Sequence, residues 1–169
     1  MEALQAYSSG FKAEGAGDLL AALAFYQRAA QIDPNFAMAY LGIAGVGESV
    51  LAAENSRKAF ALRGRVSALE KLIIEEEHTL YASGDLLKAL QICELGERTY
   101  PRISIFHEDR GQGLAYLGEY ESGLKENLEA RRLAPYRGVI NREIAHTYPY
   151  LNRQSRNHRQ RSSREESGG

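Results

Sequence analysis

The chain has no tryptophan, one cysteine and four prolines among 169 residues. A single thiol, Cys93, excludes an internal disulfide framework and any metal centre built on several cysteines. No apolar run approaches the roughly 18 residues of a membrane-spanning helix, so no membrane partner is expected. Residues 1–10 carry neither a basic start nor an apolar core, which argues against a signal peptide and for the cytoplasm. A strong charge of one sign is also missing. The formal net charge is −1, and residues 153–169 hold five arginines against two glutamates, leaving the remainder at −4. A mildly acidic body disfavours nucleic acid as a partner. With 44% apolar and 25% charged residues the composition is that of an ordinary folded domain.

The scarce prolines are placed regularly. Pro101 and Pro135 lie 34 residues apart, and Pro34 lies 67 before Pro101, one short of two such periods. Gly17, Gly84 and Gly118 each precede their proline by 17 residues, and Ala22, Ala89 and Gly123 precede theirs by 12. Self-similarity at this period marks an all-α fold, an α-solenoid of antiparallel helix pairs, in which each pair buries its apolar face on its neighbours.

The helical pattern follows that period. Leu4, Tyr7 and Phe11 share one face, and Leu19, Leu20, Leu23, Tyr26 and Ala30 form a second stripe. Gly17 reads as a left-handed helix stop and Asp18 as the next N-cap, while Pro34 ends the second helix and Asn35 caps the third. Helices are expected over 69–82, 86–99, 103–117, 120–133 and 139–151, with Pro149 disturbing the last turn. Segment two is irregular. Ala59 follows Tyr40 by 19 positions where the period calls for 23, about one turn too few, and Gly42, Gly45 and Gly47 weaken its first helix. This predicts a short helix there and the least stable part of the array. Residues 153–169 contain no apolar side chain and are expected to be a disordered polar tail, leaving an array over residues 3–152.

Ala22, Tyr26, Ala29 and Pro34, with Ala89, Cys93, Gly96 and Pro101, and Gly111, Gly123, Asn127, Ala130 and Pro135, resemble the signature of tetratricopeptide repeats. That resemblance implies about four repeats plus a final helix, wound as a right-handed superhelix. Departures occur at Glu76 and Glu77, where the family carries a leucine and a small residue, and at Arg110, another leucine position. Either the helix rotates or these charges reach solvent, because a buried unpaired carboxylate is costly. Four runs, Glu2–Ser8, Ile32–Tyr40, Ser56–Ser67 and Thr99–Arg102, are also similar to the array that follows the catalytic domain in many bacterial Ser/Thr protein kinases and some winged-helix regulators. No Gly-rich phosphate loop, Val-Ala-Ile-Lys, His-Arg-Asp or Asp-Phe-Gly accompanies it, so no kinase activity is implied.

Other chemistry reads as structural. Glu75-Glu76-Glu77-His78 looks like a solvated acidic face, since consecutive helical residues point apart and general acid–base work needs convergent groups. His107, His146 and His158 lack metal-ligand spacing, His107 reads as core, and Cys93 reads as a buried inert thiol. No catalytic residue, cofactor or metal is assigned.

In tetratricopeptide arrays the inner helices line a concave surface that holds an extended peptide or partner helix. The resemblance carries that role to Leu4, Tyr7, Phe11, Met38, Leu41, Lys71, Ile74, His78, Tyr81, Ile105, Glu108, Gln112 and Arg142. The Lys/Asn constellation that clamps a C-terminal carboxylate in chaperone-binding members is absent. Two functions are expected: a non-enzymatic module binding a protein or peptide, or a detached regulatory segment of a signalling kinase or transcription regulator. If the second holds for a membrane-anchored kinase, the side of the membrane is open.

Overall fold

Helices begin and end where short polar and glycine signals place them. In a computed structural model, which describes the backbone of residues 1–167 and the side chains of residues 1–153, the chain forms an all-α solenoid. The first pair is α1 (Glu2–Gly15) and α2 (Leu19–Ile32), and the second is α3 (Ala37–Val46) and α4 (Ser49–Leu62). A single 3-10 turn (Arg63–Arg65) leads to α5 (Ala68–Tyr81) and α6 (Leu86–Thr99). Then come α7 (Ser104–Tyr116), α8 (Tyr120–Leu133) and α9 (Gly138–Ser167). Among the described residues there is no strand, and no helix is long and apolar enough to cross a membrane.

The caps explain the repeat. Gly17, Gly84 and Gly118 have φ of 85°, 69° and 82°, the left-handed backbone that L side chains resist. The chain then turns, and Asp18 and Asp85 accept hydrogen bonds from the backbone N–H of Ala21 and Lys88, both at 3.0 Å. Ser67 and Glu70 close a capping box at the start of α5. Asn35 does not cap α3 as expected. Its N–H donates to Asp33 Oδ1 at 2.9 Å instead, so Asp33 shapes the turn through Pro34 and Phe36 begins the helix.

Segment two departs as its length requires. At 10 residues, α3 is one turn shorter than α1 and α5, each of 14. It ends in extended backbone at Gly47 rather than in a left-handed glycine. The final helix also differs from expectation, because α9 runs through Pro149. Proline removes one helical hydrogen bond. Tyr150 stacks on Tyr120 of α8 with ring centroids 4.7 Å apart, tying the residues beyond the proline to the array. The backbone of α9 continues to Ser167 across the stretch expected to be a disordered tail. The side chains of 154–169, His158 included, lie outside the described residues.

Packing is by pairs and by neighbours. Tyr26, 1% exposed, lies between α1 and α3, where a Cβ added at Gly10 or at Gly42 would come within 2.7 Å of its ring. Ile74 closes a second cluster with Ala37, Leu41 and Ala59. Ala130 and Ala134 pack on Ile140 and Ile144, docking α9 as the next inner helix.

Candidate functional site

The inner helices α1, α3, α5, α7 and α9 curl far enough for the last to meet the first. Arg137, at the entrance to α9, is 7% exposed. Its Nη2 donates to Glu14 Oε1 on α1 and to Glu108 Oε1 on α7, each at 3.2 Å, and its Nε stands 3.2 Å from Glu108 Oε2. Gly138 permits the approach, since a Cβ there would lie 3.1 Å from the Gly15 carbonyl oxygen. The groove that sequence reasoning left open is therefore closed by the chain's own arginine. What remains is a cavity of about 140 Å³ bordered by Glu77, Tyr81, Glu108, Asp109, Gln112 and Arg142.

Carboxylates dominate that interior. Glu76 and Glu77 are 2% and 8% exposed, which corrects the reading of Glu75–His78 as a solvated face. The reason lies across the helix pair. Cys93 occupies the place that Tyr26 fills in segment one, and the smaller residue leaves room for acids to turn inward. The Cys93 thiol hydrogen-bonds to Glu76, and burial pushes its pKa upward, in keeping with a buried inert thiol. Burial also pushes Glu76 up to about 8. Glu77 is raised by burial and then by Glu76, Glu14 and Glu108; Asp109 is raised by burial and then by Glu76, Glu77 and Glu108. Glu14 is better served, because the Tyr26 hydroxyl donates to its Oε2 at 2.6 Å. Tyr7, whose ring lies 5.4 Å from that of Tyr26, is pushed up to about 12 by burial beside Glu14.

The expected groove residues are distributed unevenly. Tyr81, Glu108, Gln112 and Arg142 meet around the cavity with Ile105, and Tyr7 packs behind it against Tyr26 and Phe36. Ile74 is fully buried in the core, leaving no surface for a partner. His78 stacks on Phe60 at 4.0 Å between centroids, and burial with Arg57 and Arg63 nearby lowers its pKa. Lys71 points toward Glu75, 3.9 Å away. Phe11, 40% exposed, borders a separate apolar cleft of about 280 Å³ with Gly15, Ala16 and Tyr136. Sequence reasoning missed Glu14, Glu77, Asp109 and Arg137. Glu76 and Glu77 stood out at family-apolar positions, whereas nothing local marks Arg137, whose partner Glu14 is 123 residues away.

A second acidic group sits between α6, α7 and α8 and has an arginine at its centre, although Glu97 Oε1 lacks a hydrogen-bond partner. Arg110 donates to Glu94, Glu97 and Glu126 at 3.0–3.1 Å, and His107 Nδ1 lies 2.8 Å from Glu126 Oε2. His107 thus belongs to an ion network rather than to the apolar core, and Arg110 turns from an apparent misfit into its centre.

No protein-family model matches the chain, and no curated protein matches it. Solved structures do resemble it. The thermophilic tetratricopeptide-repeat protein TTC0263 of Thermus thermophilus superposes with a TM-score of 0.60 at 24% identity, over 89% of this chain and 84% of that one. YrrB, described as a tetratricopeptide-repeat protein with an unusual peptide-binding site, gives a TM-score of 0.45 at 20% identity, over 89% and 78% of the two chains. Paired helices, aligned left-handed glycines and the first of these likenesses agree: the chain has the tetratricopeptide-repeat fold.

Proposed function

We infer that the chain is a non-enzymatic interaction module that binds a protein or peptide partner across the mouth of the closed cavity. The observation that supports this reading is the convergence of Tyr81, Gln112 and Arg142 around an opening of about 140 Å³. A space of that size accepts one side chain and not the extended peptide that an open groove would take. Acidic walls at Glu77, Glu108 and Asp109 favour a basic side chain, and the rim supplies an aromatic and two hydrogen-bonding groups. A kinase- or regulator-linked array would use the same mouth, so that alternative concerns what the module is joined to and not how it binds.

Selection from a displayed peptide library, followed by titration of the winners, tests the reading. Selected peptides should carry lysine or arginine, and Tyr81→Ala, Gln112→Ala and Arg142→Ala together should weaken them at least tenfold with helicity intact. Peptides that bind the triple variant as well as the parent, or that lose affinity only on Phe11→Ala or Tyr136→Ala, would move the interface elsewhere.

A further inference from the structure

We propose that Glu76, Glu77 and Asp109 form a site for a hard divalent cation, of the calcium, magnesium or manganese class, beside the closed cavity. One carboxylate oxygen from each residue lies within 4.8 Å of the other two. Oxygens sharing an ion at about 2.0–2.6 Å stand no more than about 4.0–5.2 Å apart, because opposite ligands lie twice the metal–oxygen distance from one another, and the spacing here falls within the calcium end of that range. The donor set is all oxygen, the ligand type these hard cations prefer.

A second observation separates this group from an ordinary acidic patch. Glu76 and Glu77 are more than nine-tenths buried, and Oε2 of each has no hydrogen-bond partner. Buried polar atoms are nearly always satisfied, so two orphaned oxygens beside a third carboxylate point to a missing positive partner. Arg137 does not supply it, being bound to Glu14 and Glu108. The outer group differs in holding a cation of its own: Arg110 contacts all three of its glutamates, and only Glu97 Oε1 is left without a hydrogen bond. Glu77 and Asp109 border the cavity, whose roughly 140 Å³ has room for several waters. Three carboxylates and such waters complete the coordination these ions require. Adjacent residues of one helix cannot make this site alone. Asp109, arriving from α7, makes it.

The site shares Glu77 and Asp109 with the walls of the partner reading, so a bound cation would compete with a basic side chain there, but its test needs no partner. The whole chain, stripped with EDTA and dialysed, is titrated with Mn²⁺ while the paramagnetic resonance of free Mn²⁺ is followed. One Mn²⁺ per chain should be taken up, Ca²⁺ or Mg²⁺ should displace it, and the Tm should rise with Mn²⁺ concentration. Glu77→Gln and Asp109→Asn, uncharged and of equal size, should each weaken uptake at least tenfold, and exposed Glu121→Gln should not. In the parent chain, Mn²⁺ should broaden amide signals around residues 76, 77 and 109, a readout that holds even where a variant folds poorly. No uptake at about 1 mM Mn²⁺, the weak end of carboxylate calcium sites, overturns the proposal. So does uptake that survives both substitutions, or broadening centred elsewhere.

Discussion

Segments one and three share a backbone plan and fill its centre in opposite ways. In segment one, Gly10 of α1 faces Tyr26 of α2, and the ring takes the space that the missing Cβ leaves. Sixty-seven residues on, the same two positions hold Glu77 and Cys93. The large residue has moved from the outer helix to the inner one, and in moving it has become an acid. Segment four uses a third combination, Gly111 facing Asn127, with the amide within 2.5 Å of where a Cβ would lie. One pair of positions thus tolerates an aromatic, a carboxylate or an amide, provided that its partner is small. The first two pairs fill similar volumes and the third a smaller one, while polarity changes at every step. The small outer residue of segment three, Cys93, accompanies the buried acids Glu76 and Glu77.

The most direct way to break this comparison is to empty both outer positions. Tyr26→Ala removes a buried ring and leaves Glu14 without its hydroxyl donor, for an expected cost of about 3–5 kcal/mol. At about 2–4 °C per kcal/mol for a chain of this size, the Tm should fall by roughly 10 °C. Cys93→Ala removes one sulfur and one weak hydrogen bond, for about 1 kcal/mol. Urea denaturation of both variants gives the contrast. Equal losses would show that the acids of segment three depend on Cys93 as strongly as segment one depends on its ring.

A second test reads polarity through pH. Glu76 keeps its proton in the fold up to about 8, whereas the unfolded chain loses it near 4.5. Between those values the native state binds more protons, so stability is greatest at the acid end and declines as pH rises. Glu77 and Asp109 are shifted in the same direction. In EDTA-containing buffer the Tm should therefore fall between about pH 5.5 and 8, by roughly 5 °C or more. Glu77→Gln should flatten that slope by removing one raised carboxyl and the charge it sets against Asp109. Tyr26→Ala should leave the slope in place, since its segment has no orphaned acid. A flat parent profile would return segment three to ordinary packing.

The inner small position offers a milder contrast. In Gly10→Ala the new methyl would meet the Tyr26 ring at 2.7 Å, and overpacking of that kind costs about 1–3 kcal/mol. Gly45→Ala in α3 meets nothing within 4 Å and should instead stabilise by about 0.5–1 kcal/mol. Paired urea midpoints decide between a clash at a shared packing position and a general intolerance of side chains along the inner face.

Much of the fold could be read from spacing because its signals are local. Gly17, Gly84 and Gly118 announce turns within a few residues, two of them with an aspartate beside them, and the missing turn of α3 follows from counting. The site was less legible for a physical reason. Whether Glu76 faces water or protein depends on Cys93 and Asp109, 17 and 33 residues away. Whether the groove is open depends on Arg137 reaching Glu14 across the whole array. Helical periodicity tells which residues share a face. It carries no information on how tightly successive pairs curl, and the curl turned an expected peptide channel into a small acid-lined cavity. Tyr81, Glu108, Gln112 and Arg142 come together because family register tracks the inner face, while Ile74 and His78 show that the same register also passes through core and outer surface.

The smallest effect sharpens the comparison by showing where the two segments are alike. Gly17 and Gly84 take the left-handed backbone at φ 85° and 69°, and a Cβ at either would meet nothing within 4 Å. Alanine at these positions therefore suffers backbone strain and no clash, about 1 kcal/mol in each case. Because neither turn touches the pocket behind it, Gly17→Ala and Gly84→Ala should cost the same within about 0.3–0.5 kcal/mol, the usual limit for independent sites. Each should also add to Cys93→Ala or Tyr26→Ala without coupling. A larger loss at Gly84 would mean that the turn helps hold the buried acids in place, and that the two segments differ in their frames as well as in what fills them.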